Sequence, residues 1–123
     1  MAAAPPSSLP FVLPDVSREP DLVAKYFRGL GDATRVRILE LLEADGEKSV
    51  SELVAAVGQS QPKVSNHLAC LRWCGFVDSR REGRTVRYRV ADARVSELLA
   101  LGRALLADNA EHVAACSYIE GGC

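Results

Sequence analysis

The stretch Lys63-Val-Ser-Asn-His-Leu-Ala-Cys-Leu-Arg-Trp-Cys-Gly75 decides how the rest of the chain is read. Val64, Leu68 and Leu71 recur at helical spacing, which predicts a helix with those three side chains inward. Ser60 stands where a cap belongs, Pro62 sits in the first turn where a missing N–H does no harm, and Gly75 ends the helix. Its first half presents Gln61, Lys63, Ser65, Asn66 and His67, polar and basic groups suited to base and phosphate contact. Its second half carries Cys70 and Cys74. Positions i and i+4 share a helix face, so both sulfurs point the same way about one turn apart. Thiolates are soft ligands and select ions such as Cd(II), Pb(II), Hg(II), Zn(II) or As(III) over hard ones. The plain alternative is two cysteines packing as small apolar groups.

Upstream, Ser49 or Ser51 caps a short helix over residues 52–57, with Leu53, Val54 and Val57 inward and Gly58 as the turn. A short helix, a glycine turn and a second helix with a polar first turn spell helix-turn-helix. Downstream, residues 76–81 and 85–90 alternate as strands, with Glu82-Gly83-Arg84 at the hairpin tip. Val86, Tyr88 and Val90 share one face of the second strand, and Arg87 and Arg89 share the other. The hairpin reads as a wing whose Arg80, Arg81, Arg84, Arg87 and Arg89 contact phosphates or the minor groove. Arg72 could contact a phosphate or lower the pKa of the neighbouring thiols. Trp73 is expected to pack rather than to stack on a base.

Two helices precede this unit. Leu22, Val23, Tyr26, Phe27 and Leu30 predict one over residues 21–30, ended by Gly29 and Gly31. Asp32 caps the next, whose inner stripe is Val36, Ile38, Leu39, Leu41 and Leu42, and Asp45-Gly46 stops it. After the wing a long helix runs over residues 94–115, with Val95, Leu98, Leu99, Leu101, Leu105, Leu106 and Val113 forming a broad apolar stripe. A stripe that wide calls for a partner, and the first and last helices are expected to form a two-fold dimer interface. The fold class is therefore mainly α with a small β-hairpin: a winged helix-turn-helix of five helices, acting as a homodimer.

At 123 residues the chain is one domain. Residues 1–19 form a flexible arm, since five of the first twenty residues are proline. The Leu9, Phe11, Val12, Leu13 cluster in that arm is apolar enough to dock on a partner. Residues 20–115 form the DNA-binding and dimerisation domain, and residues 116–123 form a tail carrying Cys116 and Cys123 and ending in flexible residues. No apolar run approaches the ~20 residues that span a bilayer, and the start lacks a secretory signal pattern. A soluble, cytoplasmic protein with no membrane partner is expected. There, four cysteines read as thiols or metal ligands rather than disulfides.

The net charge of −1 is unevenly spread. Residues 60–90 hold seven bases and two acids, a net of +5, while the remainder holds eight bases and fourteen acids, a net of −6. Phosphate responds to the local field, which is concentrated in the block that holds the reading helix and wing, although an ordinary solvated face is the plain alternative.

Three motifs, Gly29-Leu-Gly-Asp-Ala-Thr-Arg-Val-Arg-Ile-Leu39, Val64-Ser-Asn-His-Leu68 and Gly83-Arg-Thr-Val-Arg-Tyr88, resemble in sequence and order the ArsR/SmtB family of bacterial metal-sensing repressors. The resemblance covers roughly residues 20–115. It implies a homodimer that binds double-stranded operator DNA without metal and lets go when metal binds. Within the family, Ser65-Asn-His-Leu-Ala-Cys-Leu-Arg-Trp-Cys-Gly75 is most similar to the cadmium/lead sensors, which use two cysteines of the recognition helix and one of the C-terminal region. The matching positions are Cys70, Cys74 and, more loosely, Cys116, with Cys123 as a fourth candidate on a Gly-Gly hinge. Cd(II) or Pb(II) is thus the expected effector, with Hg(II) and As(III) as alternatives. The family's arsenic-type cysteine pair on the third helix is absent from residues 51–57. Its zinc-type Asp/His pairs are not matched either, since Asp92 is followed by Arg94 and His112 stands alone.

Two other readings compete. The same thiols could sense oxidants or electrophiles without metal, or the winged helix could bind protein instead of DNA. An enzyme is not expected: the chain shows no Gly-rich phosphate loop and no nucleophile–His–acid set.

Overall fold

The computed structural model describes residues 18–122, so residues 1–17 of the expected arm and Cys123 lie outside the described residues, while Glu19, expected in the arm, opens the first helix. The elements run α1 (Glu19–Arg28), α2 (Ala33–Asp45), β1 (Lys48–Ser49), α3 (Val50–Val57), α4 (Gln61–Trp73), β2 (Val77–Glu82), β3 (Thr85–Val90), α5 (Ala93–Ala115) and α6 (Ser117–Gly122). This is the expected winged helix-turn-helix, with additions at β1 and α6.

Local chemistry sets the boundaries. The Asp32 carboxylate accepts from the backbone N–H groups of Thr34 and Arg35 at 2.9 and 3.2 Å and starts α2. Ser49, not Ser51, caps α3, in a reciprocal box with Glu52. Gly58 takes a left-handed φ of 72°, which turns the chain tightly from α3 into α4. At the far end of α4, Gly75 has φ +80°, its N–H donates to Arg72 O, and Phe76 N–H donates to Leu71 O at 2.9 Å. That pair of bonds is a Schellman motif, and the apolar contact that accompanies it joins Phe76 and Leu71, both fully buried.

The sheet is antiparallel in the order β1-β3-β2. Glu82 pairs with Thr85, so the wing turns through Gly83 and Arg84 alone, and Glu82 belongs to the strand rather than the tip. Strand β1 pairs Lys48 with Tyr88 and Ser49 with Arg87. Two residues cannot display alternation, which is why β1 is invisible to pattern reading.

Ile38, Leu39 and Leu42 of α2, Leu53 of α3, Val64, Leu68 and Leu71 of α4, Phe76, Val77, and Val95 and Leu99 of α5 form the core. Val36 and Leu41, expected inside, are only half-buried. None of the residues of α1 is buried, and every residue of α5 from Ala100 onward is exposed. Arg103 tethers the exposed half of α5 to α2 through Glu40 at 3.3 Å and Glu43 at 3.7 Å. Where a loose tail is expected, residues 117–122 make one short helix; two glycines in its last turn conceal it from the sequence.

Candidate nucleic-acid interface and thiol centre

The residues of α4 sort into three faces. Val64, Leu68 and Leu71 are inside. Gln61, Lys63, Ser65, Asn66 and Arg72 are exposed and unobstructed, as a helix entering a groove requires. Trp73 is 87% exposed, which corrects the expectation that it packs. It lies two residues past Leu71, about 200° around the helix from the core. His67, Cys70 and Cys74 occupy the half-buried flank between these faces.

His67 is turned toward the start of α2. Its Nδ1 lies 3.3 Å from Arg35 Nη1, and its Nε2 lies 3.8 Å from Asp32 Oδ1. The structure thus places it beside other side chains and apart from the outward row of Gln61, Lys63, Ser65 and Asn66.

The wing arginines also divide. Arg80 makes a forked pair with Glu47, with Nε–Oε2 and Nη2–Oε1 distances of 2.8 Å each. Arg87 reaches Glu47 and Glu52 at 3.5 Å and donates to Glu47 O at 3.2 Å. Arg80 holds the Glu47 carboxyl below its ordinary range, chiefly by that hydrogen bond. Arg89 stands 3.8 Å from Asp78, both well exposed. Arg81 and Arg84 are exposed and make no ion pair among the described residues, so their charge is fully available to a phosphate. Glu47 is a residue that sequence reasoning missed. A single acid in a short loop carries no pattern, and only folding brings it against the wing.

Cys70 and Cys74 are both free thiols and half-buried. They lie one turn apart on the same flank of α4, and the Cys74 pKa is raised first by burial and then by the neighbouring Cys70. Gly29 closes over Cys74: a Cβ built on it would stand 3.3 Å from Cys74 Sγ and 3.0 Å from Tyr26 O. Tyr26 stacks on Phe76 with ring centroids 4.8 Å apart, completing the wall. Burial raises the Tyr26 pKa, with the Cys74 charge adding to the shift. Gly29 and Tyr26 lie in the first helix and its end, where helical spacing alone could not disclose a thiol neighbour.

Cys116 caps α5 in an extended conformation and lines a shallow groove of about 530 Å³ with Leu105, Leu106, His112, Val113 and Ile119. Among the described residues, no group of three or more His, Cys, Asp or Glu side chains is placed to hold a metal ion. The Cys70–Cys74 pair can offer a soft ion two sulfur donors.

Comparison with known proteins agrees with the geometry. Residues 32–79 match the family model described as "Bacterial regulatory protein, arsR family". The chain belongs to the arsR family and is a winged helix-turn-helix transcriptional repressor, not an enzyme. It is 46% identical over 102 residues to the "Probable mercury resistance operon repressor" of Streptomyces lividans, covering 83% of this chain and 81% of that one. It is 46% identical over 77 residues to the "HTH-type transcriptional regulator CmtR" of Mycobacterium bovis, covering 63% of this chain and 64% of that one. Among solved structures it is similar to the homodimeric winged helix-turn-helix DNA-binding domain Mb0332 of Mycobacterium bovis. That likeness has a TM-score of 0.67 and 33% identity over 82% of this chain and 92% of that one. No described helix is long and apolar enough to cross a membrane.

Proposed function

We propose that this repressor holds operator DNA as a homodimer and releases it when a thiophilic metal ion is captured by Cys70, Cys74 and a cysteine of the C-terminal segment. Cys116 is the first choice for that third thiol, and Cys123 could add a fourth. The observation that carries the reading is the pair of half-buried free thiols one turn apart on the helix that also carries the exposed reading groups. A soft ion bound there supplies strong thiolate bonds that tie separate segments together.

The chain's own residues do the rest. Helix α5 is roughly 34 Å long at 1.5 Å per residue, so it carries Cys116 well away from its start beside β3. That separation favours Cys116 of one protomer serving the Cys70–Cys74 pair of the other. The exposed apolar side chains of α1 and α5 supply the dimer contact. Gln61, Lys63, Ser65, Asn66 and Arg72 read or position on the major groove, and Arg81 and Arg84 hold phosphates. Drawing the C-terminal segment onto α4 changes the spacing of the two reading helices, and a coupling of roughly 1–3 kcal/mol is enough to alter occupancy of the operator.

Hg(II) is placed first, since two thiolates alone already suit it and the Streptomyces lividans relative bears a mercury-resistance name. Cd(II) and Pb(II) follow from the resemblance at Ser65–Gly75 and need the third thiolate. Because Cys74 must shed a proton that burial helps it keep, uptake strengthens as pH rises.

The test is operator binding by fluorescence anisotropy in reduced protein, titrated with Hg(II), Cd(II), Pb(II) and As(III) while thiolate-to-metal absorption is recorded. Cys74→Ser should bind operator and stay bound when the ion is added; release by this variant would sink the proposal. The thiol pair also suits an oxidant sensor. Release driven by peroxide in the presence of a chelator would establish that reading instead.

A further inference from the structure

The half-buried flank of α4 faces one short segment, residues 29–35. Gly29 lies against the Cys74 sulfur at one end. Its carbonyl accepts from Arg35 Nε at 2.7 Å. The same guanidinium sends Nη1 to His67 Nδ1 at 3.3 Å and Nη2 to Arg28 O at 3.4 Å. A guanidinium only donates, so His67 Nδ1 accepts and the ring proton sits on Nε2, facing Asp32. Arg35 is itself held at its backbone, where its N–H donates to Asp32 Oδ1. One planar group therefore joins the backbone beside the thiol pair to an imidazole about two turns earlier on the recognition helix.

We infer that Arg35 is a positioning residue that couples the state of the Cys70–Cys74 pair to the pose of α4, through Gly29 on one side and His67 on the other. The inference rests on the thiol-sensing function proposed above. A Cβ at Gly29 would stand 3.3 Å from Cys74 Sγ, so a sulfur that moves into the space left by the missing side chain meets the Gly29 backbone and presses on it. Moving Gly29 moves its carbonyl, which holds Nε. The guanidinium is rigid and flat, so displacement at Nε reappears at Nη1 and at His67. His67 adjoins Ser65 and Asn66, which face outward. The consequence is a tilt of α4 against α2, and the reading groups ride with it.

The experiment compares wild-type, Arg35→Leu and Arg35→Lys full-length proteins, with Hg(II) and Cd(II) as probes. Operator Kd is measured with and without each ion, and ion uptake is followed by thiolate-to-metal absorption. Wild type should lose operator affinity by roughly 5–150-fold on adding the ion. Arg35→Leu should take up the ion normally yet change its affinity by less than about 2-fold. Arg35→Lys keeps the charge and lacks the fork, so it should behave like Arg35→Leu and covers the case in which the leucine variant fails to fold. Nitrogen NMR of the His67 ring in metal-free protein gives a second readout: both variants should move the Nδ1 resonance, and wild type should show a comparable movement on ion binding. Variants that keep the wild-type fold-change, or a His67 ring that ignores the ion, would overturn the coupling role and leave the thiol-sensing reading standing. A wild-type protein indifferent to every ion would overturn both.

Discussion

Between residues 32 and 90 the large apolar side chains, Trp73 excepted, point inward: Ile38, Leu39, Leu53, Val64, Leu71 and Phe76 are fully buried. On α1 and the distal half of α5 the same residue types point outward: Leu22, Val23, Tyr26 and Phe27 on one, Leu101, Leu105, Leu106 and Val113 on the other. The first region completes its core within one chain. The second does not, and leaving so much contiguous apolar surface in water is costly enough that a second copy is its natural cover. The helix-turn-helix can thus be rigid in a single protomer, while the distance between two such units is set by contacts that a single protomer lacks. The proposed release of operator would use that division: a firm reading head, and an adjustable spacing between heads.

The sharpest way to break the comparison is inside the reading unit. Phe76→Ala removes a ring that packs on Tyr26 and closes the Schellman contact, and should cost about 3–5 kcal/mol. The loss should appear as a lower Tm that does not depend on protein concentration. An equal loss that vanishes at high concentration would mean that this core, too, is completed by the partner. Next comes the outer region. Leu105→Ala with Leu106→Ala should weaken dimerisation by about 1.5–3 kcal/mol for each side chain, read by analytical ultracentrifugation, while the far-ultraviolet spectrum of the protomer is kept. A dimer unaffected by both changes would move the interface elsewhere.

A smaller effect separates the wing arginines. Arg84→Gln should flatten the slope of log affinity against log salt by about 0.9 per lost phosphate contact. Arg87→Gln should change it by less, because Glu47 and Glu52 already offset that charge. Equal slopes for the two variants would show that the Glu47 cluster opens on DNA. The smallest effect lies at the start of α5. Asp92 caps that helix and pairs with Arg94 at 2.8 Å, and chiefly through that bond its pKa falls from 3.8 to about 2. A depressed carboxyl stabilises the fold above its unfolded pKa, and that contribution is lost as pH falls through the folded value. The Tm advantage of wild type over Asp92→Asn should therefore hold above about pH 4 and shrink toward pH 2. A gap that stays constant across that window would remove Asp92 from the account of acid stability.

Much of this was legible in the sequence. The caps at Asp32 and Ser60, the turn at Gly58, the stop at Gly75 and the inner rows of α4 are local signals, carried by residues a few positions apart. The Cys70–Cys74 pair and the broad stripe of α5 follow from helical period alone. Contacts between distant segments left no such trace. Glu47 against Arg80 and Arg87, Gly29 against Cys74, and Arg35 against His67 join residues 32 to 45 positions apart in the chain, at separations that no local period encodes.

By itself, then, the sequence determined the kind of element at each place, the reading helix and its thiols, and the family, because helix, turn and cap preferences are set by near neighbours. Only the tertiary structure decided which wing arginines pair with acids, that His67 faces Arg35, that Trp73 faces solvent, and that no third cysteine joins Cys70 and Cys74 among the described residues of one protomer. Those outcomes depend on how the elements are stacked, and stacking is settled by burial summed over the whole core.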